Sequence, residues 1–194
     1  MSISIEAQNY LLAAAKQSIE TGLSEGQFRA HKIESSTELT ILNEHKATFV
    51  TLNKRNELRG CIGSLQAIRP LIEDVYHNAF SAAFKDPRFT PVSFSELTEL
   101  SVSVSVLSTP QVMENCHSID SFLAQLEPNR DGIIISDGLR RATFLPAVWQ
   151  QLPDKTQFVM HLMQKAGMTK WSENMRCERY YSHSFEKDWL DIEV

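Results

Sequence analysis

Cysteine is scarce in this sequence, and its placement fits neither a disulfide framework nor a zinc site. Cys61, Cys116 and Cys177 are an odd number, widely separated, with no CxxC pair among them. Disulfide-rich secreted domains and structural zinc sites both depend on closely spaced, paired cysteines. The pattern favours free thiols in a reducing compartment, and we expect a cytoplasmic protein.

Long hydrophobic runs are also missing. The apolar stretch near the start, residues 10–15, is far shorter than the ~20 residues that a membrane-spanning helix requires. No basic segment precedes it, as one would in a signal peptide. We therefore expect no membrane association.

Clustered positive charge is the third absence. Lys and Arg total 19 against 24 Asp and Glu, for a net charge of -5, and no basic run is longer than a pair such as Arg140-Arg141. Binding to a phosphate backbone relies on clustered Lys and Arg. A small molecule or a protein is the expected partner, and long nucleic acids are not.

What is present is the composition of an ordinary globular protein. Hydrophobic residues make up 42% and charged residues 22% of 194 residues, which is enough to bury a core in one domain or in two small lobes. Apolar residues at helical spacing predict four helices, over residues 5–21, 70–86, 118–126 and 155–166. Ser4 is placed to begin the first helix and Gly22 to end it.

Alternating patterns predict the strands. The clearest is residues 100–106, with Leu and Val on one side and Ser on the other. Residues 47–52 and 58–65 form an expected hairpin around a five-residue loop, and residues 133–135 and 139–144 form another, turning at Asp137-Gly138. Residues 39–42 and 176–185 show weaker strand patterns. Because no βαβ unit repeats, the prediction is an α+β fold, mainly antiparallel sheets with flanking helices. No glycine-rich phosphate turn is present, and no cofactor is predicted.

The segment LRGCIG, residues 58–63, is the most unusual in the chain. Two of only seven glycines, Gly60 and Gly63, flank Cys61 in an expected strand, where glycine indicates a bulge or a close backbone approach. One interpretation is that the glycines admit a ligand to the backbone while the Arg59 guanidinium binds its carboxylate or phosphate. The other is that the segment serves packing alone.

Cys61 has the same two interpretations. Arg59 and nearby amides would favour its thiolate and make it a nucleophile, with His77 as a candidate base. Alternatively, Cys61 is a small buried apolar residue. The six histidines contain no HxH or HExxH pair, and no metal site is predicted.

Two further segments hold candidate site residues. Asp86 and Arg88 lie in a loop stiffened by Pro87 and Pro91, where they could bind substrate, or cap backbone groups and form a structural ion pair. Asp131, before Gly132, belongs to a turn or to a site.

Several motifs in register resemble those of the AMMECR-domain family, protein A of the AmmeMemoRadiSam gene grouping. The most specific is LRGCIG preceded by FVTL at residues 49–52. The DPRF segment at residues 86–89, the strand at residues 99–110 and the KAG segment at residues 165–167 follow in the family's order. Ala147 and Met168 are mild departures from residues that are common in the family.

The resemblance implies two unequal lobes within a single domain over residues 1–194, the larger lobe formed from both chain ends. It implies a cleft between the lobes that is lined by residues 59–63, with Asp86, Arg88 and Asp131 as candidates near it. The ligand-binding candidates are thus Arg59, Gly60, Cys61, Ile62, Gly63, Asp86, Arg88 and Asp131.

The resemblance brings no settled activity. It implies a component of a modification pathway, with a Memo-like protein and a radical SAM protein as partners, that binds a small ligand or a partner peptide. Two alternatives stay open from the residues: a cysteine-dependent transferase or hydrolase that uses Cys61, and a nucleotide- or RNA-binding module.

Overall fold

A computed structural model describes residues 3–29 and 39–193 of the chain. These residues fall into two compact units, one within residues 1–107 and 183–194, the other formed by residues 108–182. Among the described residues, no helix has the length and apolarity needed to cross a membrane.

The described residues contain four α-helices and eight strands, so the fold is α+β as predicted. The helices are α1 (Ile5–Glu25), α2 (Leu71–Phe84), α3 (Ile119–Gln125) and α4 (Lys155–Lys165). The strands are β1 (Thr48–Lys54), β2 (Glu57–Gly63), β3 (Leu100–Leu107), β4 (Gln111–Val112), β5 (Gly132–Asp137), β6 (Arg140–Phe144), β7 (Arg176–Tyr180) and β8 (Ser182–Asp188).

The first unit is a four-stranded sheet with the order β2-β1-β3-β8, packed against α1 and α2. Strand β1 pairs antiparallel with both β2 and β3. Val50 and Leu52 of β1 lie in the core with the apolar faces of the helices, as do Leu100, Val102, Val104 and Val106 of β3. Thr51 and Ser103 are half-buried on the other face. This one-sided burial is the reason for the alternation of Val and Ser along β3.

The second unit has its own sheet, with the order β4-β7-β5-β6, and its own core. Trp149 is fully buried and stacks on Phe158 with 3.6 Å between ring centroids. The Trp149 indole N–H donates to the Asp131 carbonyl oxygen at 2.8 Å. Because the indole N–H has an acceptor, this large side chain is buried without leaving a hydrogen-bond donor unpaired.

The first helix was predicted to stop too early. Its N-cap is Ser4 as expected, but it runs past Gly22 and ends at Gly26, which has a left-handed φ of 70°. Gly22 lies inside the helix, where an added Cβ would clash with the rings of Phe80 and Phe84. That glycine serves close packing of α1 on α2, a demand that local sequence does not reveal.

Both hairpin turns differ from the prediction, the first in length and the second by a shift of one residue. The β1–β2 hairpin turns on Arg55 and Asn56, both with positive φ (52° and 68°), and not on a five-residue loop. The second hairpin turns on Gly138-Leu139, since Asp137 already pairs with Arg140. Glycine supplies the positive φ at the first turn position there.

Two strand predictions were wrong. Residues 40–43 form a 3-10 helix and not a strand, and residues 176–185 do not form one strand. They divide at Tyr181 into β7 and β8, which belong to different sheets. The weak alternation across both strands is continuous, so only the tertiary pairing separates them. The two-residue strand β4 was not predicted, because it is too short to show a period.

Candidate functional site

The site begins with an irregularity in β2. Leu52 pairs with Gly60 and Asn53 pairs with Leu58, so Arg59 is an extra residue with no partner on β1. Such a bulge bends the strand and redirects a side chain. The predicted bulge in the LRGCIG segment is therefore centred on Arg59.

The two glycines of the segment are packed against the protein itself. A Cβ at Gly60 would clash with the carbonyl oxygen of Ala82 on α2, and a Cβ at Gly63 would clash with Phe49 and Thr48 on β1. The Ile62 side chain packs against the core of the first unit. Close packing thus accounts for both glycines, while their contact with a ligand stays a prediction.

Asp86 and Arg88 hold the backbone of Cys61. Strand β2 is at the edge of its sheet, and the N–H of Cys61 donates to Asp86 Oδ2 at 2.9 Å. Arg88 Nη2 donates to the Cys61 carbonyl oxygen at 3.3 Å. The two side chains therefore take the place that a neighbouring strand would have at this point of the edge.

The same two side chains form an ion pair. Arg88 Nε and Nη2 donate to the two Asp86 carboxylate oxygens at 2.9 and 2.6 Å, and the Arg88 amide donates to Oδ1 at 3.1 Å. The Arg88 guanidinium holds the pKa of the buried Asp86 carboxyl well below its usual range. The predicted capping of backbone groups by Asp86 and the predicted ion pair are both present.

Arg59 is held by a carboxylate that the sequence reasoning missed. Its Nε and Nη2 donate to the two oxygens of Glu96 at 2.9 and 3.1 Å, and the two side chains are only 11% and 16% exposed. This pair, with help from the Ser93 amide, lowers the pKa of Glu96 from 4.5 to about 2. The signal that could have found Glu96 is the capping box Ser93-x-x-Glu96 at the start of a 3-10 helix.

Phe89 lies close to both arginines. The Arg59 and Arg88 guanidinium carbons are 5.9 and 5.5 Å from the centre of its ring. Cation–π contact at these distances adds to the ordering of both side chains. The DPRF segment therefore contributes three side chains to this site: Asp86, Arg88 and Phe89.

The Cys61 side chain is half-buried, and it receives a hydrogen bond. Thr51, its cross-strand partner on β1, donates its hydroxyl to Cys61 Sγ at 3.2 Å. Cys61 thus differs from Cys116 and Cys177, which are buried and whose thiol pKa values are raised by that burial.

His77 has a different environment from the one proposed for a catalytic base. Its ring packs edge-on against Phe28 at 5.3 Å, and burial lowers its pKa. Among the hydrogen bonds of the described residues, none joins His77 to Cys61. The described side chains of His, Cys, Asp and Glu also include no group of three arranged to hold a metal ion.

Asp131 belongs to the second unit. Its buried carboxylate accepts from the amide of Glu127 at 2.7 Å and pairs with Arg179 at 2.9 Å and with Arg130 at 3.4 Å. Arg59, Cys61, Asp86 and Arg88 are brought together in the first unit. For Asp131, the contacts within its own unit support the structural interpretation, and its ligand contact stays a prediction.

The fold and this site define an α+β protein with a LRGCIG edge strand secured by the DPRF segment. The sequence model of the AMMECR1 family matches residues 12–185, and the chain belongs to that family. Protein MJ0810 of Methanocaldococcus jannaschii is 38% identical over 161 residues, covering 80% of this chain and 79% of that protein. Protein MK0488 of Methanopyrus kandleri is 36% identical over 183 residues, covering 92% and 86%.

The fold agrees with that of a solved relative. The crystal structure of protein PH0010 from Pyrococcus horikoshii matches with a TM-score of 0.84 and 31% identity, over 96% of this chain and 94% of that one. The α+β class and the family predicted from the sequence are therefore both confirmed.

Proposed function

We propose that the protein binds a small ligand or a segment of a partner peptide at residues 59–63, as a component of a modification pathway. The observation that carries the proposal is that Arg88 is both exposed and held in place by hydrogen bonds. Its side chain is 53% exposed next to the half-buried Cys61, although three of its N–H groups are already used to fix Asp86 and the Cys61 carbonyl. A fixed but exposed guanidinium is preorganised to receive a ligand.

The donors of Arg88 indicate what the ligand offers. Its hydrogen bonds to described residues use Nε and Nη2, not Nη1. A guanidinium has five N–H donors, and its free edge binds carboxylate or phosphate oxygens. We therefore expect an anionic group of the ligand at Arg88 Nη1, with the rest of the ligand over Cys61.

Arg59 has another part in this proposal. Its fork is occupied by Glu96 and its side chain is mostly buried, so we assign it to the support of the bulge and not to the ligand. A binding experiment should therefore substitute Arg88 and not Arg59.

The test compares two neutralised arginines. Native mass spectrometry of the gently purified protein should show a bound small molecule or peptide in the wild type and in Arg140→Gln, an exposed arginine of the second unit. The bound species should be lost from Arg88→Gln. Circular dichroism and thermal melting establish whether Arg88→Gln is folded, and Arg88→Lys, which keeps the charge without the fork, should bind weakly. Equal retention by all variants, or no bound species in the wild type, would contradict the proposal.

The proposed pathway partners are a Memo-like protein and a radical SAM protein. An exposed apolar residue supports a protein contact near the site: Phe94 is 62% exposed, two residues from Glu96. Size-exclusion chromatography with the two purified partners should show co-elution that Phe94→Ser weakens. Leu139→Ser, at a fully exposed leucine of the second unit, is the matched control. Separate elution of the wild-type proteins would refute the association.

Covalent chemistry at Cys61 is the second candidate function, as a cysteine-dependent transferase or hydrolase. The partial exposure of Cys61 and the Arg88 guanidinium beside it favour this function, because reactive cysteines lie in partly exposed, electropositive surroundings. An acyl adduct on Cys61 after incubation with an activated thioester, formed with release of the leaving thiol and absent from Cys61→Ser, would support it.

A further inference from the structure

A pocket on the second unit has an unusual set of lining residues. Its volume is about 270 Å³. Three of the protein's six methionines contribute to its wall, together with three polar residues and no carboxylate. The lining residues are Met160, His161, Met163, Gln164, Met168 and Thr169.

The backbone explains how these side chains meet. Met160 and Met163 are three residues apart on α4, so they lie on one side of the helix. Gly167 follows the helix with a left-handed φ of 69°, and it reverses the chain. The Met168 amide then donates to the Met163 carbonyl oxygen at 2.9 Å, which returns Met168 to the same end of the helix.

Core packing explains only part of the methionine content. Met163 and Met168 are 7% and 6% exposed and belong to the core of the second unit. Met160 is 60% exposed, so it fills no gap in the interior, the usual use of methionine. The pocket thus combines two buried thioethers with one that solvent reaches.

The chemistry of the donors selects a class of ligand. Thioether sulfur is a soft, neutral donor that favours Cu(I), whereas magnesium and calcium require oxygen ligands and zinc favours cysteine, histidine and carboxylate. A neutral donor set suits a monovalent ion better than a divalent one, since no carboxylate offsets the second charge.

We propose that this pocket binds Cu(I) through the sulfur atoms of Met160, Met163 and Met168. The site is independent of the proposed function at residues 59–63, because all its ligands belong to the second unit. Histidine and cysteine spacing in the sequence does not predict it, since its ligands are thioethers.

The direct test is Ag(I) titration followed by NMR of methionine methyl groups. The full chain carries Cys61→Ser, so that the half-exposed thiol does not compete for the ion. Methyl signals of Met160, Met163 and Met168 should shift together and saturate at one equivalent. Met113 and Met175, which are buried in the same unit, should not move. A shift of Met160 alone, an equal shift of all methionines, or no shift would overturn the proposal.

Affinity measurements supply the second readout. Competition for Cu(I) with a chromophoric chelator, under anaerobic reducing conditions, should show that Met163→Leu and Met168→Leu each weaken binding by about tenfold or more, since even outer-shell changes cost that much. Leucine nearly conserves the volume of methionine, so the fold should be retained. Met175→Leu is the matched control. Unchanged Cu(I) affinity in folded Met163→Leu and Met168→Leu would contradict the assignment.

Discussion

The carboxylate of Asp86 accepts the backbone N–H of Cys61 at 2.9 Å, across 25 residues of sequence. This bond places the only half-exposed cysteine of the three at a fixed point on the edge of a sheet. Arg88 binds both the Asp86 carboxylate and the Cys61 carbonyl oxygen. The Asp86 carboxylate therefore fixes the position of both Cys61 and the exposed guanidinium.

Asp86→Asn should weaken the contacts of residue 86 with Arg88 and with the Cys61 amide. The substitution removes the charge that pairs with Arg88 and weakens the bond to the Cys61 amide, so we expect a loss of about 2–3 kcal/mol in the free energy of unfolding. Hydrogen exchange at the Cys61 amide should accelerate, which is the readout specific to this contact. Asp120→Asn, an exposed aspartate of α3, should change stability by less than about 0.5 kcal/mol. Unchanged protection of the Cys61 amide would show that Asp86 does not hold it.

Glu96 should make the first unit sensitive to acid. Its pKa is lowered from 4.5 to about 2 in the folded protein, so it binds a proton more readily when unfolded. The stability from its pair with Arg59 is therefore complete above pH 4.5 and is lost as the pH falls toward 2. Urea unfolding from pH 7 to pH 2.5 should show this decline.

In Glu96→Gln, the Glu96 contribution to that decline should be absent. The variant should be less stable at pH 7 by about 3 kcal/mol, because a mostly buried Arg59 loses its partner. Glu73→Gln, at an exposed position of α2, should keep the wild-type profile. An identical acid response in Glu96→Gln and in the wild type would exclude Glu96 as its source.

Gly60→Ala should destabilise the first unit by about 3 kcal/mol, at the upper end for overpacking. The reason is a clash of the new Cβ with the backbone carbonyl of Ala82 on α2, which no side-chain rotation relieves. Thermal melting measures the effect. Gly26→Ala meets open space at a left-handed φ of 70° and should cost only about 1 kcal/mol. Wild-type stability of Gly60→Ala would reject packing as the reason for this glycine.

Iodoacetamide should modify Cys61 before Cys116 and Cys177 near neutral pH. Cys61 is half-exposed and accepts a hydrogen bond from Thr51, whereas burial of the other two excludes the reagent and raises their thiol pKa values. Peptide mass spectrometry after brief exposure measures the order, and Thr51→Val should slow the reaction at Cys61. An inert Cys61 in the folded protein would remove the support for covalent chemistry.

Local sequence determined much of the secondary structure, because its causes are local. Ser4 caps α1 as predicted, and Asp154 caps α4 in the same way, since a side-chain oxygen can reach an amide three residues on. The alternation of Val and Ser predicted β3, because one face of its sheet is buried. The motifs at residues 58–63 and 86–89 predicted which segments form the candidate site.

Only the tertiary structure decided which residues of those segments contact each other. The bonds from Cys61 to Asp86 and from Arg59 to Glu96 cross 25 and 37 residues. No local pattern encodes such a partner, because it is selected by the packing of α2 on the sheet. The same packing decided that Gly22 continues a helix and that Gly60 leaves room for a carbonyl oxygen. The sequence contains the residues of the site, and the assignment of Arg59 to support and Arg88 to ligand binding depends on their burial in the folded chain.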